Sequence, residues 1–276
     1  MKVGVLHFSR VLRARKPAQN AVNRRVVEVF DLRTPRLQST PVNEARIAEL
    51  LKPFLTAIPT LSNTCHSEER SDEEPAVLPP TQLQNISTYI DILLRWNARI
   101  NLTAIRDPED IVTRHFGESL FAGRHLFPLI PSASSASSAV KALEVADIGS
   151  GAGFPGLPIK LWAPHISLTL IESNHKKAAF LKEVTRALTL TDVNIQNARA
   201  ETLTARYDVV TLRAVERFET ILPTAAALVK PAGCLALLIG AAQEPQAHAT
   251  SPDLNWSPPI PIPQSRSRVL VIGRRS

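Results

Sequence analysis

Three glycines alternating at the end of an apolar run constrain this chain more than any other feature. The stretch is Val145-Ala-Asp-Ile-Gly-Ser-Gly-Ala-Gly-Phe-Pro-Gly156. Leu143, Val145 and Ile148 read as the end of a buried strand. Gly149, Gly151 and Gly153 then make a turn bare of side chains, because glycine takes positive φ freely and lets the backbone approach a ligand. Phe154 to Trp162 is predicted to open a helix whose first N–H groups point back over the turn.

Two cofactor classes use such a turn. A dinucleotide wants G-x-G-x-x-G with an acidic residue roughly 20 positions on. Gly151, Gly153 and Gly156 can be forced into that pattern, but Pro155 then lies inside the turn and Asp147 has no role. S-adenosylmethionine (SAM) methyltransferases use D/E-x-G-x-G-x-G. Asp147-Ile-Gly149-Ser-Gly151-Ala-Gly153 matches it in full. SAM carries an ammonium and a sulfonium, which a nearby carboxylate suits. A turn with no ligand would read the same way in isolation. The next segment, Ile166 to Ile171, argues against that. It reads as a second strand ending in Glu172, a position from which a carboxylate can accept both ribose hydroxyls of an adenosine. A charge capping the next helix is the plainer reading of Glu172.

From 141 to 276 strands and helices alternate, the pattern of a parallel α/β sheet with helices on both faces. Further strands are predicted at 193–197, 207–212, 234–239 and 269–272, the last joining the sheet edge. Helices are predicted at 174–188 and 217–229. Ligands of open α/β sheets sit at the carboxyl ends of the strands. Those ends carry Asp147 and the glycines, Glu172, Ala200-Glu201 and Arg213, which are expected to converge on one site.

The N-terminal half is different. Residues 1–40 form a basic tail with no apolar segment that a secretory signal would need. Residues 41–131 are helical, with an acidic insertion near 62–80. Residues 132–140 are a Ser/Ala linker. A helix over 42–52 is predicted to end or kink at Pro53. Thr81-x-x-Gln84 reads as a capping box for a helix through Ile100. Asp107-Pro-Glu-Asp110 opens another that runs to about Leu126. It carries His115, a possible ligand or base that reads first as a structural histidine. The net charge of +7 favours an acidic partner such as nucleic acid. Two cysteines, Cys65 and Cys234, exclude a disulfide framework and a Cys-rich zinc site; no metal is expected. No apolar run reaches the roughly 18 residues of a membrane span, and the chain reads as cytoplasmic.

These residues together resemble the RsmG (GidB) family, the 7-methylguanosine methyltransferases of bacterial small-subunit (16S) ribosomal RNA. The stretches are Arg95-Trp-Asn-Ala-Arg-Ile-Asn-Leu-Thr-Ala-Ile-Arg-Asp-Pro108, Arg114-His115 to Ser119-Leu120, Asp147 to Pro158, Arg199-Ala-Glu201, Tyr207 to Ala214 and Arg268 to Ile272. The resemblance implies SAM contacts at Gly149, Phe154, Ala200, Glu201 and Arg213, with Arg213 between cofactor and substrate and Arg199 a candidate RNA contact. It implies ribosomal RNA or the 30S particle as partner and a monomer. Glu118 stands where the family has Asp. Ile239 stands where it commonly has Lys, which removes a cation from the substrate side.

Guanine N7 is already nucleophilic, so no catalytic base is required and none is singled out. Two alternatives remain. One is a SAM- and RNA-binding relative with weakened turnover, motivated by Ile239. The other is a nicotinamide-dependent oxidoreductase, which predicts a Tyr-x-x-x-Lys that neither Tyr89 nor Tyr207 supplies.

Overall fold

The computed structural model describes residues 42–56, 77–128, 142–213 and 218–276. The basic tail, the acidic run at 66–74, Cys65, the Ser/Ala linker and Ala214 lie outside them.

The chain begins with α1 (Glu44–Leu55), capped by Asn43, whose Oδ1 accepts from the Arg46 N–H at 2.8 Å. Pro53 does not end this helix. Phe54 and Leu55 are buried, and their packing outweighs the missing N–H. α2 (Pro80–Asn97) starts one residue before the predicted cap. Proline occupies its first position and no side chain caps it, so the capping box at Thr81 does not form. α3 (Pro108–Ile111) is capped by Asp107 as expected. It runs through one widened π turn, Val112–Gly117, into α4 (Glu118–Leu126). The helical periodicity is legible in the sequence; the wider turn is not.

Then follow β1 (Glu144–Ile148), α5 (Gly156–Trp162), β2 (Ser167–Ile171), α6 (His175–Ala187), β3 (Val193–Gln196), β4 (Tyr207–Arg213), α7 (Phe218–Ala227), β5 (Val229–Gly240), α8 (Glu244–Thr250), β6 (Leu254–Trp256), β7 (Ile260–Pro261) and β8 (Arg268–Arg275). The sheet order is β3-β2-β1-β4-β5-β8-β6, with β7 also on β8. β1 to β5 are parallel, and β8 runs antiparallel to β5. The predicted edge strand is therefore interior, because β6 and β7 cover its outer side. β5 also starts earlier than predicted, running through Pro231 and Gly233.

Side chains alternate along each strand and both faces are covered. Val145, Leu168, Leu170, Val209 and Leu270 face α5, α6 and the N-terminal helices in one core. Ala146, Ile148, Val210, Leu212 and Val271 face α7 and α8 in the other. The N-terminal helices share the first core directly: Ile47, Tyr89, Phe116 and Leu120 are fully buried in it. α2 is also tied to the sheet side by three hydrogen bonds. Gln82 donates to the Leu161 carbonyl at 2.7 Å, Tyr89 to the Ala152 carbonyl at 2.5 Å, and Trp96 to Glu183 at 2.9 Å. Among the described residues no helix is long and apolar enough to cross a membrane.

Candidate active site

Gly149, Gly151 and Gly153 have φ of 67°, 55° and 86°, values that favour glycine. Gly149 and Ser150 N–H groups both donate to the Ile171 carbonyl, at 2.9 and 3.1 Å, which pins the turn to the end of β2. Glu172 holds it from above. One oxygen accepts from Gly151 N–H at 2.9 Å and the other from Asn174 N–H at 2.7 Å.

Asp147 is fully buried beneath the turn. Its register partner on β4 is Thr211, whose hydroxyl donates to Oδ1 at 2.8 Å. Gly156 N–H donates to Oδ2 at 3.2 Å. So the expected roles of both groups change. The first N–H of α5 points down to Asp147 rather than over the turn, and Asp147 braces the turn rather than facing a ligand's ammonium. A pyrophosphate therefore has no exposed helix N-terminus to bind here, which removes the main physical support for a dinucleotide.

Burial raises the Asp147 carboxyl to about 6, against hydrogen bonds from Thr211 and Gly156 that lower it. The folded state thus takes up a proton between about pH 6 and 4 that the unfolded chain takes up only near pH 4. Stability from this group falls as pH rises through that window. Asp147→Asn can still offer Oδ1 to Gly156 and Nδ2 to the Thr211 oxygen. Its stability relative to the native protein is expected to improve by up to about 3 kcal/mol between pH 4 and pH 7.5, measured by urea unfolding.

Beside the turn lies a cleft of about 280 Å³. It is walled by Ile148, Gly149, Ile171, Ala200 and Ile221, with Ser173, Arg199 and Glu201 also lining it. Apolar walls and a few polar groups suit an adenosine. A Cβ placed on Gly151 would meet only the Gly149 carbonyl, at 3.6 Å, so the backbone there is open to a ligand.

Of the predicted site residues, this cleft gathers Gly149, Ala200 and Glu201. Glu172 joins them through Gly151. Phe154 and Arg213 lie apart, in a second group with the N-terminal helices. There Phe154 is buried against Tyr89 (centroids 5.4 Å apart, planes 4° apart) and His115 (4.7 Å, 19°). The Arg213 guanidinium carbon is 5.9 Å from the Phe154 ring centre. Arg213 Nη2 donates to Glu118 at 3.0 Å and to the Arg114 carbonyl at 2.5 Å. Arg268 Nε donates to the same Glu118 oxygen at 2.9 Å. Arg213 is thus held by Glu118, not by the Glu201 or Asp208 that its sequence neighbourhood offers. Burial lowers Arg213 to about 10 against the opposing pull of Glu118, so it stays charged at neutral pH.

Sequence reasoning gave no site role to three members of this second group, Tyr89, Glu118 and Arg268, although the last two fall in stretches that resemble the family. Tyr89 falls on the apolar stripe of α2 between Ile86 and Leu93, and a polar-tipped aromatic there is the one available signal. Glu118 and Arg268 carry no local pattern. Ile239, where a cation was noted as missing, is buried in the sheet. Among the described residues there is no cluster of three or more side chains that could hold a metal ion.

Comparison with known proteins agrees with this geometry. The chain matches the model of the GidB family, described as rRNA small subunit methyltransferase G, over residues 82–257. It is 31% identical over 219 residues to the ribosomal RNA small subunit methyltransferase G of Bacillus pumilus, spanning 74% of this chain and 87% of the relative. It is 37% identical over 169 residues to that of Stenotrophomonas maltophilia, spanning 60% and 71%. The fold is similar to that of magnesium protoporphyrin IX methyltransferase from Synechocystis PCC 6803 with bound SAM, with a TM-score of 0.51, 13% identity, and 70% and 97% of the two chains covered. A glycine turn braced from below by Asp147, an adenosine-sized cleft and a family match across both thus place the chain: it belongs to the GidB family of small-subunit ribosomal RNA methyltransferases.

Proposed function

We propose that this protein transfers the methyl group of SAM to N7 of a guanine in small-subunit (16S) ribosomal RNA, as free RNA or within the 30S particle, in the cytoplasm. The observation that carries the reading is the adenosine-sized cleft beside a glycine turn whose helix start is turned inward, in a chain of this family.

Gly149 and Ala200 would wall the adenine, with Glu201 at the exposed edge of the cleft. Each Glu172 oxygen accepts one backbone N–H and keeps a lone pair for a ribose hydroxyl. Phe154 and Arg213 would face the methyl end, where Arg213 lies between cofactor and base. SAM supplies an electrophilic methyl on a cationic sulfur. When bound it would give that methyl to N7 with loss of the carbon–sulfur bond, leaving the positive charge on the base. No proton moves, so no general base is needed. The protein's work is to align N7 with the methyl and exclude water. His115 matters electrostatically. Burial, with Arg213, Arg114 and Arg268 nearby, lowers it to about 3. It is neutral at working pH and does not oppose the charge arriving on the base.

The test is methyl transfer from labelled SAM to small subunits lacking the modification, with the product identified as 7-methylguanine by mass spectrometry. Transfer should weaken as salt is raised, since basic residues such as Arg199 would neutralise phosphates. SAM binding without transfer to RNA or subunits would instead favour a SAM-binding relative with weakened turnover.

A further inference from the structure

Two buried nitrogens of residues that contact the Phe154 ring have no hydrogen-bond partner among the described residues: His115 Nδ1 and Arg213 Nε. Arg213 is only 8% exposed through its side chain. A buried unpaired donor costs about 1–3 kcal/mol, so each of these two beside one ring would gain from an acceptor brought from outside the chain.

The surroundings allow the histidine to carry its hydrogen on Nδ1. Its Nε2 lies 2.8 Å from the Thr103 hydroxyl oxygen. That oxygen already accepts from Ile105 N–H at 3.1 Å, so its own proton is free for Nε2. With that proton given to Nε2, the neutral ring carries its hydrogen on Nδ1. The arrangement is held from further out. Asn97 accepts from Leu102 and Thr103 N–H groups at 2.9 and 3.1 Å, and donates to the Thr103 carbonyl at 2.9 Å. The Asn-Leu-Thr loop is thereby fixed, and with it Thr103. The stack on Phe154 fixes the plane of the imidazole.

We propose that His115 Nδ1–H and Arg213 Nε–H donate together to the O6 carbonyl of the acceptor guanine, holding its N7 open to the methyl group. O6 has two lone pairs and sits beside N7 on the same edge of the base. Adenine carries an amino donor there, which would face two donors and be rejected. The pair thus positions the base and selects guanine over adenine. This inference rests on the methyltransferase reading above and deepens it.

The test compares native enzyme with His115→Phe, which keeps a ring against Phe154 but has no donor. Single-turnover methyl transfer at saturating SAM should fall about 100-fold. SAM affinity, thermal midpoint and KM for the small subunit should change little, because one base contact is a small part of RNA binding. A second measurement needs no variant: in ¹⁵N-histidine NMR spectra of the native enzyme, His115 should carry its proton on Nδ1. A native single-turnover rate in His115→Phe, or a proton found on Nε2, would overturn the proposal. If the native enzyme makes 7-methylguanine while either of these results is obtained, only the role of His115 is lost. If it makes none, the functional reading fails and this inference with it.

Discussion

Gly153→Ala is expected to destabilise the protein by roughly 2–5 kcal/mol, adding a positive-φ penalty to overpacking. At φ 86° an added Cβ would overlap the Tyr89 hydroxyl and come within 2.7 Å of Leu157 Cδ1. Tyr89 cannot retreat. It is fully buried, its ring is stacked on Phe154, and its hydroxyl donates to the Ala152 carbonyl. The loss is a large fraction of a typical domain's stability. Gly151→Ala is the control. Its φ of 55° carries a similar backbone penalty of about 1–2 kcal/mol, but its Cβ meets only the Gly149 carbonyl, at an ordinary 3.6 Å. That variant should stay folded and lose SAM affinity, because the methyl would stand where the cofactor approaches. Chemical denaturation and calorimetric titration of the two variants separate the outcomes. Equal stability of the two would show that the Tyr89 contact does not limit the turn.

Arg213→Ala is expected to lower the single-turnover rate at least about 100-fold, the scale of losing a donor aimed at reacting groups. Breaking a buried ion pair usually destabilises by about 3–5 kcal/mol because it leaves a charge unpaired. Here Arg268 still holds the same Glu118 oxygen at 2.9 Å, so the stability loss should be smaller than that. Activity and melting temperature should therefore separate. Arg213→Lys should not rescue the rate. Nη2 makes two bonds while Nε stays available, a division of labour that one ammonium on a flexible stem cannot copy. A variant that melts far lower while transferring methyl normally would show that Arg213 serves packing alone.

The sheet and its ligand turn were legible because their signals are local. Strand period and glycines that need positive φ lie within a few residues of what they specify. The elements that escaped are weakly marked. β6 has three residues, and α8 holds a proline and few apolar residues among its seven. Pro53 gave a clear local signal that burial then overrode, and Thr81 one that Pro80 displaced by taking the first position of the helix. The site divides in the same way. Gly149, Ala200 and Glu201 could be read from strand ends. The partner of Arg213 could not, since Glu118 lies 95 residues earlier on another element and only the folded chain brings them together.

The place of β8 bears on when the site comes into being. This strand is inserted between β5 and the short outer strands, and its first residue, Arg268, reaches Glu118 across 150 positions of sequence. Such distant closures are slow to form, because chain entropy is lost before the contact rewards it. A chain that has not yet seated β8 holds Glu118 with one arginine instead of two, so the acceptor side is complete only once β8 has paired. In refolding experiments, recovery of methyl transfer should lag behind recovery of the glycine turn's capacity to bind cofactor.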